Sequence, residues 1–175
     1  MGKEMEDNQV VKLAEKAVRE YVKNGREIDP PSELPEIMEE RKGVFVSIKK
    51  NGNLRGCIGT TRPTQKNVAE EIIKNAISAC SRDPRFKPVQ PEELSELNIS
   101  VDILGDNEPV ASLEELDPDK YGVIVKKGSR TGLLLPDLEG IETVEKQVII
   151  AKKKAGISPA ETNIDLFKFK VHRFE

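Results

Sequence analysis

The sequence predicts an α+β fold built on a mainly antiparallel sheet with flanking helices, and three observations carry that prediction. An Asn51-Gly52 step separates two β-prone runs, and both residues tolerate the positive φ angles that tight hairpin turns demand. Leu97, Ile99, Val101 and Ile103 alternate with Asn98, Ser100 and Asp102, the period of a strand with one buried face. Helical patterns fall irregularly between these hairpins, so the β-α-β alternation of a doubly wound parallel sheet is missing.

The elements follow in order. Val10, Val11, Leu13, Ala14, Ala17, Val18, Tyr21 and Val22 recur at helical spacing, with Gly25 where a left-handed cap belongs. Pro30, Pro31 and Pro35 make the segment from Ile28 to Pro35 an irregular connector. Val44–Ile48 and Leu54–Ile58 form the first hairpin, the second strand ending at Gly59. Thr61–Thr64 with Pro63 predicts a helix start, after which Val68, Ile72, Ile73, Ala76, Ile77 and Cys80 mark one face. Tyr121–Val125 and Leu133–Leu135 flank Gly128 and Ser129, which predicts a hairpin with a longer, cationic loop. A last helix carries Val144, Val148, Ile149, Ala151 and Ala155, stopped by Gly156 and Pro159. Phe167, Phe169 and Val171 then predict one closing strand. No repeat at a fixed period and no low-complexity tract is visible.

Composition narrows the function classes. The chain has 175 residues, the range of a single domain. Lys plus Arg number 28 against 31 Asp plus Glu, a formal charge of −3, so no basic excess points to nucleic acid. Cys57 and Cys80 lie in unrelated patterns, which suits free thiols in a reducing, cytoplasmic compartment. No apolar stretch reaches membrane-spanning length, so no membrane partner is expected. The abundance of Lys and Glu suits the ion-pair networks of heat-tolerant surfaces.

The unusual stretch is Leu54-Arg55-Gly56-Cys57-Ile58-Gly59, where glycines bracket a thiol and a guanidinium. Two glycines permit close approach of backbone to another group, and Arg55 would favour both an anion and the Cys57 thiolate. A purely structural reading has the glycines relieve a bend and Cys57 pack as a small hydrophobe.

This segment resembles the signature of the AMMECR family, and Arg82-Asp83-Pro84-Arg85-Phe86 resembles that family's second motif. The resemblance continues through Tyr121-Gly122, Leu133 to Pro136 and Lys154-Ala155-Gly156. It implies one domain over residues 1–175 made of two closely packed lobes, with the Leu54–Gly59 segment at a cleft between them. It implies no particular reaction. Prokaryotic members are associated with a Memo-like protein and a radical-SAM protein, which suggests a modification pathway. Where many relatives place a Trp after the Leu-Pro segment, this chain reads Gly140-Ile141-Glu142.

The ligand-binding candidates are therefore Arg55, Gly56, Ile58, Gly59, Arg82 and Arg85, with Cys57 as the candidate nucleophile. Arg55 and Arg85 would clamp an anion; alternatively the arginines near Asp83 complement a helix C-terminus. His172 is the lone histidine, which leaves one base for a Cys57 dyad and excludes a His-rich metal site. No phosphate loop, dinucleotide fingerprint or zinc motif occurs, so no cofactor and no metal is expected. Three functions remain open: capture of a small ligand or partner segment, an enzyme using Cys57, and a nucleic-acid factor using Lys126, Lys127, Arg130 and Lys152–Lys154.

Overall fold

The computed structural model describes residues 2–175. The chain divides into two compact units, one running to Leu104 and taking in His172–Glu175, the other comprising Gly105–Val171.

The first unit opens with α1 (Gly2–Asn24), whose apolar stripe of Val10, Leu13, Ala14, Ala17 and Val18 is buried. Gly25 ends it at φ +66°, its N–H donating to the Tyr21 carbonyl. After the proline-rich connector a single turn, α2 (Glu36–Glu39), buries Met38. Next come β1 (Val44–Lys50), β2 (Asn53–Thr60), α3 (Val68–Ser81) and β3 (Leu97–Leu104). With β8 (Val171–Phe174) they form a four-stranded sheet in the order β2-β1-β3-β8. Val44, Val46, Ile48, Ile99, Val101 and Ile103 face α1 and α3 and form the core.

The second unit holds β4 (Glu108–Val110), β5 (Gly122–Lys127), β6 (Arg130–Leu134), α4 (Val144–Ala155) and β7 (Asp165–Phe169). Its sheet runs β4-β7-β5-β6, and Val123, Val125, Leu134, Val148 and Ala151 make its core.

Several expectations need correction. The closing strand is two strands, β7 and β8, in different sheets; the alternation of Phe167, Phe169 and Val171 continues across the break, so no period marks it. Helix α3 starts at Val68, capped by Asn67, whose side chain accepts the Glu70 amide. Thr64 and Gln65 stay outside the helix because their amides donate to the Glu71 carboxylate. The second hairpin has a two-residue turn, not a longer loop, since Gly128 at φ +60° lets Lys127 pair directly with Arg130.

Each unit contains the same arrangement once: a hairpin, then a helix that crosses it over a glycine. A Cβ on Gly56 would lie 2.1 Å from the Ala79 carbonyl oxygen, and one on Gly132 would lie 2.0 Å from that of Ala151. Neither helix can sit as close over any other residue. Gly132→Ala is expected to lower stability by about 2–3 kcal/mol, because the obstacle is helix backbone that cannot turn away. Urea unfolding of the two proteins measures this, and a change under about 0.5 kcal/mol would contradict the close approach.

Candidate functional site

The Leu54–Gly59 segment lies on β2, the edge strand of the first sheet. Its register is shifted by a bulge: Lys49 faces Leu54 but Ile48 faces Gly56, leaving Arg55 as the extra residue. That shift decides the faces. Gly56, opposite the buried Ile48, points at α3, whereas Cys57, opposite Ser47, points to the other face. Ser47 Oγ and Cys57 Sγ share a hydrogen bond at 3.2 Å. Gly59 carries the Phe45 ring, whose Cγ would be 2.2 Å from an added Cβ. Ile58 packs against the core.

An edge strand presents unpaired amides and carbonyls, and here the turn after α3 covers them at Cys57. Its N–H donates to Asp83 Oδ2 at 3.0 Å, and its carbonyl accepts from Arg85 Nη2 at 3.3 Å. Arg85 also grips Asp83 through Nε and Nη2, at 3.0 and 2.8 Å. The Arg85 hydrogen bonds, then the Cys57 amide, hold the Asp83 carboxyl well below the usual carboxylate range despite its burial. The Asp83 side chain is 2% exposed, while that of Arg85 is 55% exposed and its Nη1 donates to no described residue. Arg82 is the exposed C-cap of α3.

Arg55 points elsewhere. Its Nε and Nη2 donate to the two oxygens of Glu93 at 3.0 and 3.1 Å, and Nη1 donates to the Lys87 carbonyl at 2.7 Å. Lys50 joins the same carboxylate at 3.1 Å. The Arg55 hydrogen bonds and the Gln90 amide lower the Glu93 pKa to about 2. The two arginines thus belong to two separate carboxylate pairs, with every nitrogen of Arg55 engaged.

Sequence reasoning missed three partners. Glu93 could have been read as the N3 glutamate after Gln90-Pro91, where it reaches back to the Gln90 amide. Ser47 could not, because a regular Asn-Gly hairpin would pair it with Gly56. Glu71, buried on α3, receives the hydroxyls of Thr60 and Thr64 at 2.7 and 2.6 Å and the amides of Thr64 and Gln65. Burial opposes its charge, but these donors lower its pKa on balance. Asn75 on the same helix donates to the Val44 carbonyl at 2.9 Å.

The other candidates separate. His172 stacks on Phe174 with centroids 4.3 Å apart, in β8. Two strands lie between β2 and β8, so at about 4.8 Å per step the strands of Cys57 and His172 are separated by about 14 Å across the sheet, and the two form no dyad. Cys80 is buried and its thiol is pushed up to about 11 by desolvation. Of the cations proposed for nucleic acid, Lys127 pairs with Glu161, Arg130 donates to the Gly156 carbonyl, and Lys152 is buried against the Pro159 carbonyl. Among the described residues no group of three or more His, Cys, Asp or Glu could hold a metal ion, and no helix is long and apolar enough to cross a membrane.

A two-unit α+β protein with a glycine-bracketed thiol on a capped edge strand is the class these features define. The AMMECR1 family model matches residues 11–174, and the chain belongs to that family. It is 50% identical over 167 residues to a protein of Thermotoga maritima, covering 94% of this chain and 96% of that one. A Clostridium acetobutylicum protein is 49% identical over 174 residues, covering 98% of this chain but 37% of its own length. The crystal structure of an uncharacterised protein from Pyrococcus horikoshii matches with a TM-score of 0.86 at 34% identity, over 94% of this chain and 88% of that chain.

Glu93→Gln is expected to lower stability by about 1–3 kcal/mol at neutral pH, since Arg55 keeps its charge and loses its partner. Glu93 and Asp83 are both depressed, so their stabilisation is present above the unfolded carboxylate range and is lost as pH falls toward 2. Urea midpoints between pH 7 and 2.5 should decline in the parent and decline less steeply in Glu93→Gln. Parallel curves would contradict the assignment.

Proposed function

We propose that the protein is a binding module whose site is the covered edge of β2, and that it recognises an anionic group on a small ligand or a partner segment. The observation that supports this best is Arg85. Asp83 holds its guanidinium rigidly by two nitrogens, yet more than half of the side chain faces solvent beside Cys57. With the guanidinium fixed in this way, its remaining nitrogen, Nη1, loses little freedom when it donates to a carboxylate or phosphate. The exposed Arg82 leaves this turn with two guanidiniums for one carboxylate. Arg55 contributes indirectly, by anchoring β2 to Glu93. The Clostridium relative, in which the matching stretch is 37% of the length, suits a module that also works within larger chains. The pathway reading, with Memo-like and radical-SAM proteins as companions, rests on the family resemblance.

Titration with inorganic phosphate and pyrophosphate, followed by amide NMR, tests the site. Shifts should concentrate at Cys57, Arg82 and Arg85, and Arg82→Gln with Arg85→Lys should weaken binding roughly tenfold, through lost charge at the first and loss of the positioned Nη1 donor at the second. Shifts scattered over the lysine-rich surface, or none, would sink the proposal.

A second reading, Cys57 as a nucleophile, draws on the Ser47 hydroxyl 3.2 Å from its sulfur and the cationic Arg85 beside it. On this reading iodoacetamide labels Cys57 faster than a model thiol at neutral pH while the buried Cys80 stays unlabelled. Labelling of Cys57 no faster than a model thiol removes that role.

A further inference from the structure

The two units share one plan. Val46-Ser47-Ile48-Lys49-Lys50 before the first turn corresponds to Val123-Ile124-Val125-Lys126-Lys127 before the second. Val68 follows Gly56 at the spacing by which Val144 follows Gly132. Asn67 and Thr143 cap the two helices alike, each accepting an amide three residues on. After the helices, Asp83-Pro84-Arg85 and Ser158-Pro159-Ala160 make the same turn: the first side chain accepts the amide two residues on, and its carbonyl accepts the one after that.

Glu71 and Gln147 are each the fourth residue of their helix and each almost fully buried, but the helices cross their glycines one turn apart, at Ala79 and at Ala151, so that in space Gln147 stands where Asn75 stands. In the first unit two side chains divide the work. Asn75 donates to the carbonyl at the head of the strand, on Val44, and Glu71 accepts from the loop between strand and helix. In the second unit, with Ala151 in the place of Ala79, Gln147 makes the Asn75 bond: Nε2 donates to the Tyr121 carbonyl at 2.9 Å, at the head of the equivalent strand. Asn75 has the Thr60 hydroxyl as a second partner, whereas Pro136 stands in that place in the second unit and brings no hydroxyl, and the Ile141 amide donates to Leu138. Gln147 Oε1 is a buried polar atom with no partner. A buried acceptor left unpaired is costly, and a single ordered water relieves that cost.

We infer that the second unit contains an internal water site at Gln147, in which one ordered water donates to Oε1. The class of ligand is set by the chemistry: a buried amide oxygen needs a donor, and water supplies one without bringing a charge into the interior.

A crystal structure of the full chain at about 1.5 Å resolution tests this. A water peak 2.7–3.2 Å from Gln147 Oε1 is the expected result. A protein N–H or O–H at that distance, or a dry site, would overturn the inference. Water-to-protein cross-relaxation provides a second readout: the Gln147 side-chain amide protons should show a direct, long-lived water contact in solution, and no contact would count as refutation.

Discussion

The first unit depends on the Ala79 carbonyl lying over Gly56. Glycine alone admits helix backbone at that distance, and the contact brings α3 down onto the hairpin so that Val46, Ile48, Ile72, Ile73 and Ala76 close into one core. It also requires the bulge at Arg55, without which Gly56 would face away from the helix. The same displacement sets Cys57 beside Ser47 and frees Arg55 to reach Glu93. Packing and chemistry at this strand therefore have one origin.

Three carboxylates then organise the surroundings, each at a place where backbone would otherwise be unsatisfied. Asp83 covers the edge amide of Cys57, Glu93 holds the bulged residue and the start of its own short helical turn, and Glu71 holds the loop leading into α3. All three are depressed, for the common reason that each accepts several donors. The family motifs acquire a physical meaning here: the glycine-bracketed strand and the Asp-Pro-Arg turn are two halves of one edge closure. Its outward-facing component is Arg85.

The second unit shows what the shared plan requires by itself. It keeps the tight hairpin, the glycine under the helix, the N-cap and the proline turn, while Leu133, Ser158 and Ala160 stand where Cys57, Asp83 and Arg85 stand in the first. Its edge strand lacks the extra residue that Arg55 represents. The groups with recognisable chemistry are thus those that the repeated scaffold does not need, which sets them apart from residues retained for packing.

Local physics made much of this legible. The Asn-Gly turn, the helical stripes of α1, α3 and α4, the left-handed glycine caps and the alternation of β3 are all dictated by neighbours in the chain. The family followed from six residues and a second short motif. The site's partners were harder to read, because strand register after a bulge, the reach of Glu93 from the turn after Gln90 to β2, and the division of one alternating run into β7 and β8 depend on groups far apart in sequence. The internal repeat was hidden for the same reason, since its copies share backbone contacts and few side chains. By itself the sequence determined the three long helices, the two hairpins, the alternating β3 and the family they belong to, since short-range sterics and periodicity settle those. Only the tertiary structure decided that Arg55 is held by Glu93, that Arg85 is left facing solvent and that His172 is out of reach of Cys57, because hydrogen-bond partners are chosen in space.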